Sequence, residues 1–567
     1  MPEPLFQFCT GPRVGPPRGR LSEQDTHAPK YGKQASGLAN ERQAPAERQD
    51  HDHDVPRDGH PEREPRPIPG PEPAPGNDTF RRRKFLLGAG VTGAGGLLGA
   101  TGIAHIGGTA MAAPNNPHGP HGPHGKSTLR PGQFHGRQHL LVPELLLLPD
   151  GPVPHQAVLV RDGKFRKIGP AQQLIAAHPG LQPLRLDGHV LMPGFVDAHH
   201  HLTQSFGKAQ SFGQPSEIFK AIWEPLEHAL DEESAYVSAK LAALEALRGG
   251  FTTVADAGTR APVDVRSVAQ GTEEAGIRCV LSKIVSSGNG GPAHLGRWDG
   301  HPLIHPSLAI AVPEDAPGEV IKKTADLCAE AGAVLQIHVN EHLASVERSL
   351  KSVGRRPLEQ LHHLGALGPH TLGAHATLLT PSEMRLLADS GAAISYNPVA
   401  SAWKGNGVAP ATMLAAMDVR FGMGTDGTRA DGFRLIDAGE TAQRLAYGMA
   451  SGDSSCGAGR MWLEHATSRS ADALGLGKVT GEIAVGKAAD FLLVNLDVPE
   501  LTPSYDLRWE LVRLANRDQI TAVVVNGKLR LWHGWPPDWN GPALVARAAE
   551  LGPEVVRRAG LHRVEPT

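Results

Sequence analysis

Residues 193–201 read Pro-Gly-Phe-Val-Asp-Ala-His-His-His: a tight turn, a short apolar strand, and three imidazoles at its end. Outward from this stretch, strand-like and helical patterns alternate. Strands are predicted at 195–198, 252–257, 278–285, 308–313, 334–339, 371–376, 392–396 and 419–424, with helices such as 234–247, 317–331 and 381–390 between them. Eight strands alternating with helices over about 250 residues is what an α/β fold of the (β/α)8 TIM barrel type requires. A doubly wound open sheet is the competitor, but no G-x-G-x-x-G follows the first strand.

The barrel is expected over 193–479. On either side the period changes to that of β structure. Residues 157–160 and 164–168 read as a hairpin around Asp162-Gly163, and 188–191 as a further strand. Far downstream, 489–494 and 521–525, the latter followed by Asn526-Gly527, carry the same signals. These flanks, 139–192 and 480–535, predict a small β-sandwich domain built from both sides of the barrel, followed by a helical tail over 536–567.

The first third of the chain has a different character. Residues 1–78 are rich in proline and nearly free of apolar periodicity, so they read either as a disordered extension or as sequence upstream of the true start. Residues 79–112 carry Arg82-Arg83-Lys84-Phe85-Leu86, an uncharged run to Ala104 and a small-residue site at Ala110-Met111-Ala112, which resembles a twin-arginine export signal. A membrane helix is the alternative. Seven glycines within residues 86–104 lower both its helix propensity and its hydrophobicity, which fits a signal better than an anchor. The expected location is therefore outside the cytoplasm or in the cell envelope, reached through the twin-arginine machinery. Residues 113–138 are expected to form a linker containing the repeat PHGPHGPHG (117–125), which reads as a flexible spacer, with scavenging of divalent metal as its alternative.

Composition narrows the classes of function. With 567 residues there is room for two to four domains, and a net charge of −3 argues against a phosphate-tracking surface, so no nucleic-acid partner is expected. The four cysteines form no C-x-x-C pair, which removes both a disulfide framework and a thiolate zinc site. An oligomer is compatible with everything above.

In a barrel, chemistry collects at the C-terminal ends of the strands. On the first strand His199 and His201 share a face toward the barrel mouth, while His200 points away. The H-x-H spacing is weak alone, since His51-Asp52-His53 repeats it in the N-terminal extension. The fifth strand ends at His338, with Glu341 three residues on, so the chain must turn before it. The sixth ends at His375 and the eighth at Asp426, within Gly424-Thr425-Asp426-Gly427. Four strand ends thus carry His or Asp. By contrast, His362-His363 reads as helix surface and the cysteines as packing.

The model that follows is specific. His199, His201, His338 and Asp426 bind one divalent metal ion, Zn²⁺ or Fe²⁺, which activates a water molecule. His375 and Asp426 orient or deprotonate that water, and Glu341 protonates the departing nitrogen. A second metal would call for a bridging carboxylated lysine at the end of the fourth strand, and 308–313 (LAIAVP) contains none. The centre is expected to be mononuclear.

At this point the sequence resembles the amidohydrolase superfamily, in the branch of cytosine and guanine deaminases, S-adenosylhomocysteine-type deaminases and triazine hydrolases. The resemblance rests on 193–201, His338-x-x-Glu341, His375, Asn397-Pro398, 424–427 and Gly481-Glu482-Ile483-Ala484-Val485-Gly486-Lys487-Ala488-Ala489-Asp490. It implies a single-metal hydrolase acting on a non-peptide, amidine-like C–N bond of a small heterocyclic substrate, releasing ammonia, with the same roles at the matching residues. Three departures bear on the substrate. The Ser and Asn usual after Asn397-Pro398 are replaced by Val399-Ala400-Ser401-Ala402-Trp403-Lys404. The fourth strand lacks a base-binding His at Ala311-Val312-Pro313-Glu314, and the glycine-rich loop 286–304 matches nothing in the branch. Gln204 is a candidate substrate contact, with a structural role as its alternative. A displaced alkylamine or chloride, or the opening of a cyclic amide, remains the alternative chemistry; a non-catalytic binding protein is the alternative class.

Overall fold

The computed structural model describes residues 129–214, 218–286, 290–427, 429–448, 452 and 459–561. The N-terminal extension, the twin-arginine motif, the PHG repeat, Cys9 and Cys456 lie outside the described residues.

Eight parallel strands follow one another in chain order: Phe195–His200, Phe251–Asp256, Arg278–Ile284, Ile304–Ile310, Leu335–Val339, Thr371–His375, Ala393–Tyr396 and Arg420–Met423. A single parallel bridge between His200 and Asp426 joins the last to the first and closes the barrel. Strands covered on both faces need side chains that tolerate burial everywhere. The first, second, sixth and seventh are buried at every position.

The intervening helices start and stop where local chemistry dictates. Asp231 accepts from Ser234 N to cap Glu232–Arg248. Thr380 and Glu383 form a capping box on Pro381–Ser390, which ends at left-handed Gly391. The fourth strand lies earlier than expected, at Ile304–Ile310 rather than 308–313. Cys279 to Ile284 of the third strand pair with Ile304 to Ala309 and draw the His305-Pro306 stretch into the ladder, while the chain turns away at Pro313. Neighbour pairing overrode the local proline signal.

The flanks form a separate eight-stranded sheet. Gln138–Leu148, Gly151–Pro154, Gln156–Arg161, Lys164–Pro170 and Pro183–Pro193 come before the barrel; Phe491–Asn495, Ile520–Val525 and Lys528–Trp532 come after it. The two halves meet where Pro183–Pro193 pairs antiparallel with Phe491–Asn495. Asp162-Gly163 and Asn526-Gly527 both adopt positive φ, as a two-residue hairpin turn requires. The expected sandwich is built from one hydrogen-bonded path that curls on itself. Phe165 N donates to Lys487 O at 3.0 Å, and Val158, Phe165, Leu191 and Phe491 share its core. Arg278, at the start of the third barrel strand, ties this sheet to the barrel through Asp490 at 3.0 Å. After the sheet, the helix Gly541–Arg558 lies against Glu232–Arg248. No described helix is long and apolar enough to cross a membrane.

Candidate active site

Every predicted site residue reaches the C-terminal mouth of the barrel because the chain turns sharply just there. His375, Asp426 and Asn340 all have positive φ, at 73°, 60° and 50°. Such backbone is costly for residues other than glycine and persists where surrounding contacts hold it. The turn at Asn340 carries Glu341 back over the barrel, as the three-residue spacing from His338 demanded. Gly424 is required for a different reason: a Cβ there would lie 2.9 Å from His199 Cβ and closer still to Asn397 and Ser395.

His199, His201 and His338 present nitrogens that lie within 4.8 Å of one another, as do ligand atoms of His199, His375 and Asp426. Asp426 Oδ1 is 3.3 Å from His201 Nε2 and 3.9 Å from His199 Nε2. Both ring nitrogens of His199 are buried without a hydrogen-bond partner. An orphaned imidazole among neutral nitrogen donors and one carboxylate oxygen is what a divalent ion of intermediate softness would satisfy. Hydrogen bonds prepare the rings for it. His338 Nδ1 donates to Ala311 O at 2.9 Å, which leaves the Nε2 lone pair free.

His375 is oriented differently. Ser395 Oγ donates to Asn397 Oδ1 at 2.7 Å, fixing the amide so that Asn397 Nδ2 donates to His375 Nδ1 at 3.2 Å. The neutral ring therefore carries its proton on Nε2, which is 3.8 Å from both Glu341 Oε1 and Asp426 Oδ2.

Lys404 is the residue that sequence reasoning missed. Its ammonium donates to Glu341 Oε1 at 2.9 Å and to Asp426 Oδ2 at 2.7 Å, and Asn406 Nδ2 adds a third contact to Glu341 Oε1 at 3.1 Å. Both lie in the segment following Asn397-Pro398, where the sequence departs from the family pattern; that departure was the available signal. Arg260, just past the second strand, was also missed. It faces the cavity while donating to fully buried Glu227 at 3.1 Å, and its guanidinium lies 4.1 Å from the centre of the Phe219 ring.

Electrostatics follow this arrangement. Burial lowers the basicity of His199 and His201 well below the ordinary range, with neighbouring imidazoles adding to it; burial and His375 lower His338 to about 4. All three rings are thus neutral at physiological pH, the form a metal ion needs. Burial alone would raise the two carboxyls. Instead His375, Lys404 and His338 hold Glu341 low, and Lys404 with the imidazoles holds Asp426 well below the carboxylate range.

His200 stands outside both donor groups, in keeping with its alternation away from the mouth. It is buried, 2.8 Å from Thr425 Oγ1 and 3.4 Å from Asp197. Above the centre lies a cavity of about 520 Å³, walled by Ile218, Phe219 and Trp223 on one side and by Ala311 and Val312 at the end of the fourth strand. Gln204 reaches it, but its amide nitrogen donates to Glu227 Oε1 at 3.3 Å and its Oε1 is buried without a partner. His362 and His363 are exposed, and Cys279 and Cys328 are buried among apolar side chains.

Known proteins share this plan. A relative from Moorella thermoacetica, a 5-methylthioadenosine/S-adenosylhomocysteine deaminase, is 30% identical over 70% of this chain and 94% of its own length. A zinc-bound adenosine deaminase from Xanthomonas campestris superposes with a TM-score of 0.68 at 25% identity, covering 74% of this chain and 98% of that one. The atrazine chlorohydrolase TrzN from Arthrobacter aurescens shares the fold, with a TM-score of 0.65 at 20% identity over 73% of this chain and all of its own. The model of the amidohydrolase family matches residues 190–530, and with the divalent-metal donor set in place at the barrel mouth, this chain belongs to that family.

Proposed function

We propose that the protein is a metal-dependent deaminase that removes an exocyclic amino group from a small nitrogen heterocycle as ammonia. The observation that carries this reading is the convergence, over one buried donor set, of an ionised Glu341, an ionised Asp426 and a neutral His375. His199, His201, His338 and Asp426 hold the ion, for which Zn²⁺ and Fe²⁺ both suit the mixed nitrogen and oxygen donors. The ion when bound acidifies a water molecule.

The remaining work falls to side chains. Glu341 Oε1 is occupied by Lys404 and Asn406, so Oε2 is the oxygen that takes a proton from water and delivers it to a ring nitrogen. Asp426 takes the second proton and passes it to the amino group, which departs as ammonia. His375 donates from Nε2 to the oxygen on which negative charge builds. The apolar wall of Ile218, Phe219 and Trp223 suits the face of a flat ring. Ala311 and Val312, at the end of the fourth strand, offer no side-chain hydrogen bond to a base.

Export through the twin-arginine route is part of the proposal and rests on Arg82-Arg83 with the uncharged run after it. Changing both arginines to lysine abolishes translocation of a fused reporter if that reading holds. The activity is tested by ammonia release from metal-replete full-length protein across aminopurines, aminopyrimidines, aminopterins and aminotriazines. Release from one class supports a deaminase. No release by protein holding one metal per chain overturns deamination in favour of another leaving group.

A further inference from the structure

Glu227 has no place in the proton path, yet it is fully buried and accepts four hydrogen bonds. Oε1 accepts from Thr203 Oγ1 at 3.1 Å and Gln204 Nε2 at 3.3 Å, and Oε2 from Arg260 N and Arg260 Nη1, both at 3.1 Å. The backbone and the side chain of Arg260 are thus tied to one carboxylate on the helix Glu224–His228. Phe219 covers the guanidinium, whose central carbon lies 4.1 Å from the centre of the ring. A planar fork held at one nitrogen and stacked on one face has its orientation set before any ligand arrives, and it presents its edge.

That edge has donors to spare. Glu227 is the only hydrogen-bond partner of the guanidinium among the described residues, so the N–H groups of Nε and Nη2 are unused. Arg260 lines the cavity of about 520 Å³ that it shares with His201, His338 and Glu341, and its side chain is only 14% exposed. The other cations of the cavity wall differ from it. Lys404 is committed to Glu341 and Asp426, Arg348 lies on Glu314 with its side chain 36% exposed, and Lys220 is exposed.

What such a fork takes is an oxygen. Its charge is already balanced by Glu227, so a neutral carbonyl suffices and no anion is called for. A ligand that filled the cavity without an acceptor here would strip water from these N–H groups and leave them unpaired. Sites of this kind discriminate far more steeply than apolar pockets do. We propose that Arg260 selects the substrate by holding a ring carbonyl oxygen on its guanidinium edge, which makes the substrate an amino-oxo heterocycle and not an oxygen-free, adenine-type ring. The inference rests on the deaminase reading above and narrows its substrate class.

The test compares matched pairs that differ in the ring oxygen: guanine with 2-aminopurine, cytosine with 4-aminopyrimidine, pterin with 2-aminopteridine, and ammeline with 2,4-diamino-1,3,5-triazine. Zinc-loaded full-length protein is assayed for ammonia release as wild type, R260M and R260K. Affinity is measured by calorimetry on an E341Q background, where turnover is suppressed, with and without the same changes at Arg260. In at least one pair the oxo member should bind E341Q at least about 100-fold more tightly than its partner, and kcat/KM of wild type should follow the same order. R260M should bring that ratio to within about tenfold of unity, with R260K between, because an ammonium supplies a point charge in place of the fork.

Equal affinity within every pair overturns the inference, and so does failure of every oxo compound to bind. An R260M that weakens both members of a pair alike overturns it as well, since that is what a purely structural role produces. Should R260M fail to fold, R260K decides: a ratio unchanged from wild type overturns the inference. Absence of ammonia while E341Q still prefers the oxo member removes the deaminase reading and leaves Arg260 as the selecting residue, so the two failures are told apart.

Discussion

Asp197 and Thr425 lie 228 residues apart and join the two strands that carry His199 and Asp426: Asp197 Oδ1 accepts from Thr425 N at 3.0 Å and Oδ2 accepts from Thr425 Oγ1. The same Oδ1 accepts from His199 N at 3.2 Å. One fully buried carboxylate thus sets the spacing between the first and last ligands of the proposed metal centre. Asp197→Ala would strand three buried donors, and we expect a loss of about 3 kcal/mol of stability together with lower zinc occupancy. Urea denaturation and zinc analysis check both; stability within about 0.5 kcal/mol of wild type would count against the arrangement.

Glu341→Gln keeps the side-chain shape but removes the acceptor for a proton. Zinc content should stay at the wild-type level while ammonia release falls by at least about 100-fold. Turnover near that of wild type would remove Glu341 from the proton path.

His199 is the most enclosed of the proposed ligands, with neither ring nitrogen partnered. His199→Ala should leave zinc substoichiometric after gel filtration, with the fold intact by circular dichroism. Unchanged zinc would show that the metal sits elsewhere.

Arg278 and Asp490 form a buried ion pair between the barrel and the flanking sheet, and Thr480 Oγ1 and Asn526 N also donate to Asp490. Asp490→Ala leaves a buried guanidinium without its carboxylate, and a loss of about 3–5 kcal/mol is expected. Chemical denaturation measures it. A loss below about 1 kcal/mol would mean that the guanidinium finds water instead.

Stability of the metal-free protein should fall as the pH drops from about 6.5 toward 4. Burial lowers His305, His338 and His465 each to about 4, helped by Arg278 beside His305, by His375 beside His338 and by Arg469 near His465. Between these values and their ordinary pKa of 6.5, the unfolded chain binds protons that the folded chain refuses, so stability rises with pH across that window. Asp256 opposes them. Burial raises it to about 7, so the folded chain holds a proton that the unfolded chain has released. One such group does not outweigh three. Urea midpoints at pH 5 and pH 7 decide it: a midpoint at pH 5 equal to or above that at pH 7 would contradict this balance.

The barrel and six of the proposed site residues were readable from the chain because each signal is local. Strand and helix periods alternate along the sequence, and His199, His201, His338, Glu341, His375 and Asp426 stand at or just beyond predicted strand ends, where the fold itself brings them together. The hairpins at Asp162-Gly163 and Asn526-Gly527 were legible for the same reason: a two-residue turn needs positive φ, and those residues supply it. The fourth strand was misplaced because its start depends on pairing with Arg278–Ile284 and not on its own residues.

What only the tertiary structure decided lies in contacts between segments. Lys404 reads as an ordinary basic residue in the last turn of a helix, yet it meets Glu341 across 63 residues of sequence and Asp426 across 22. Gln204 and Arg260 converge on Glu227, a carboxylate that nothing local distinguishes. Periodicity tells which residues face the mouth of a barrel. It does not tell which of the long charged side chains reach one another there, because that depends on the distances between strands and on the direction of each loop, and these are settled only when the ring of strands closes.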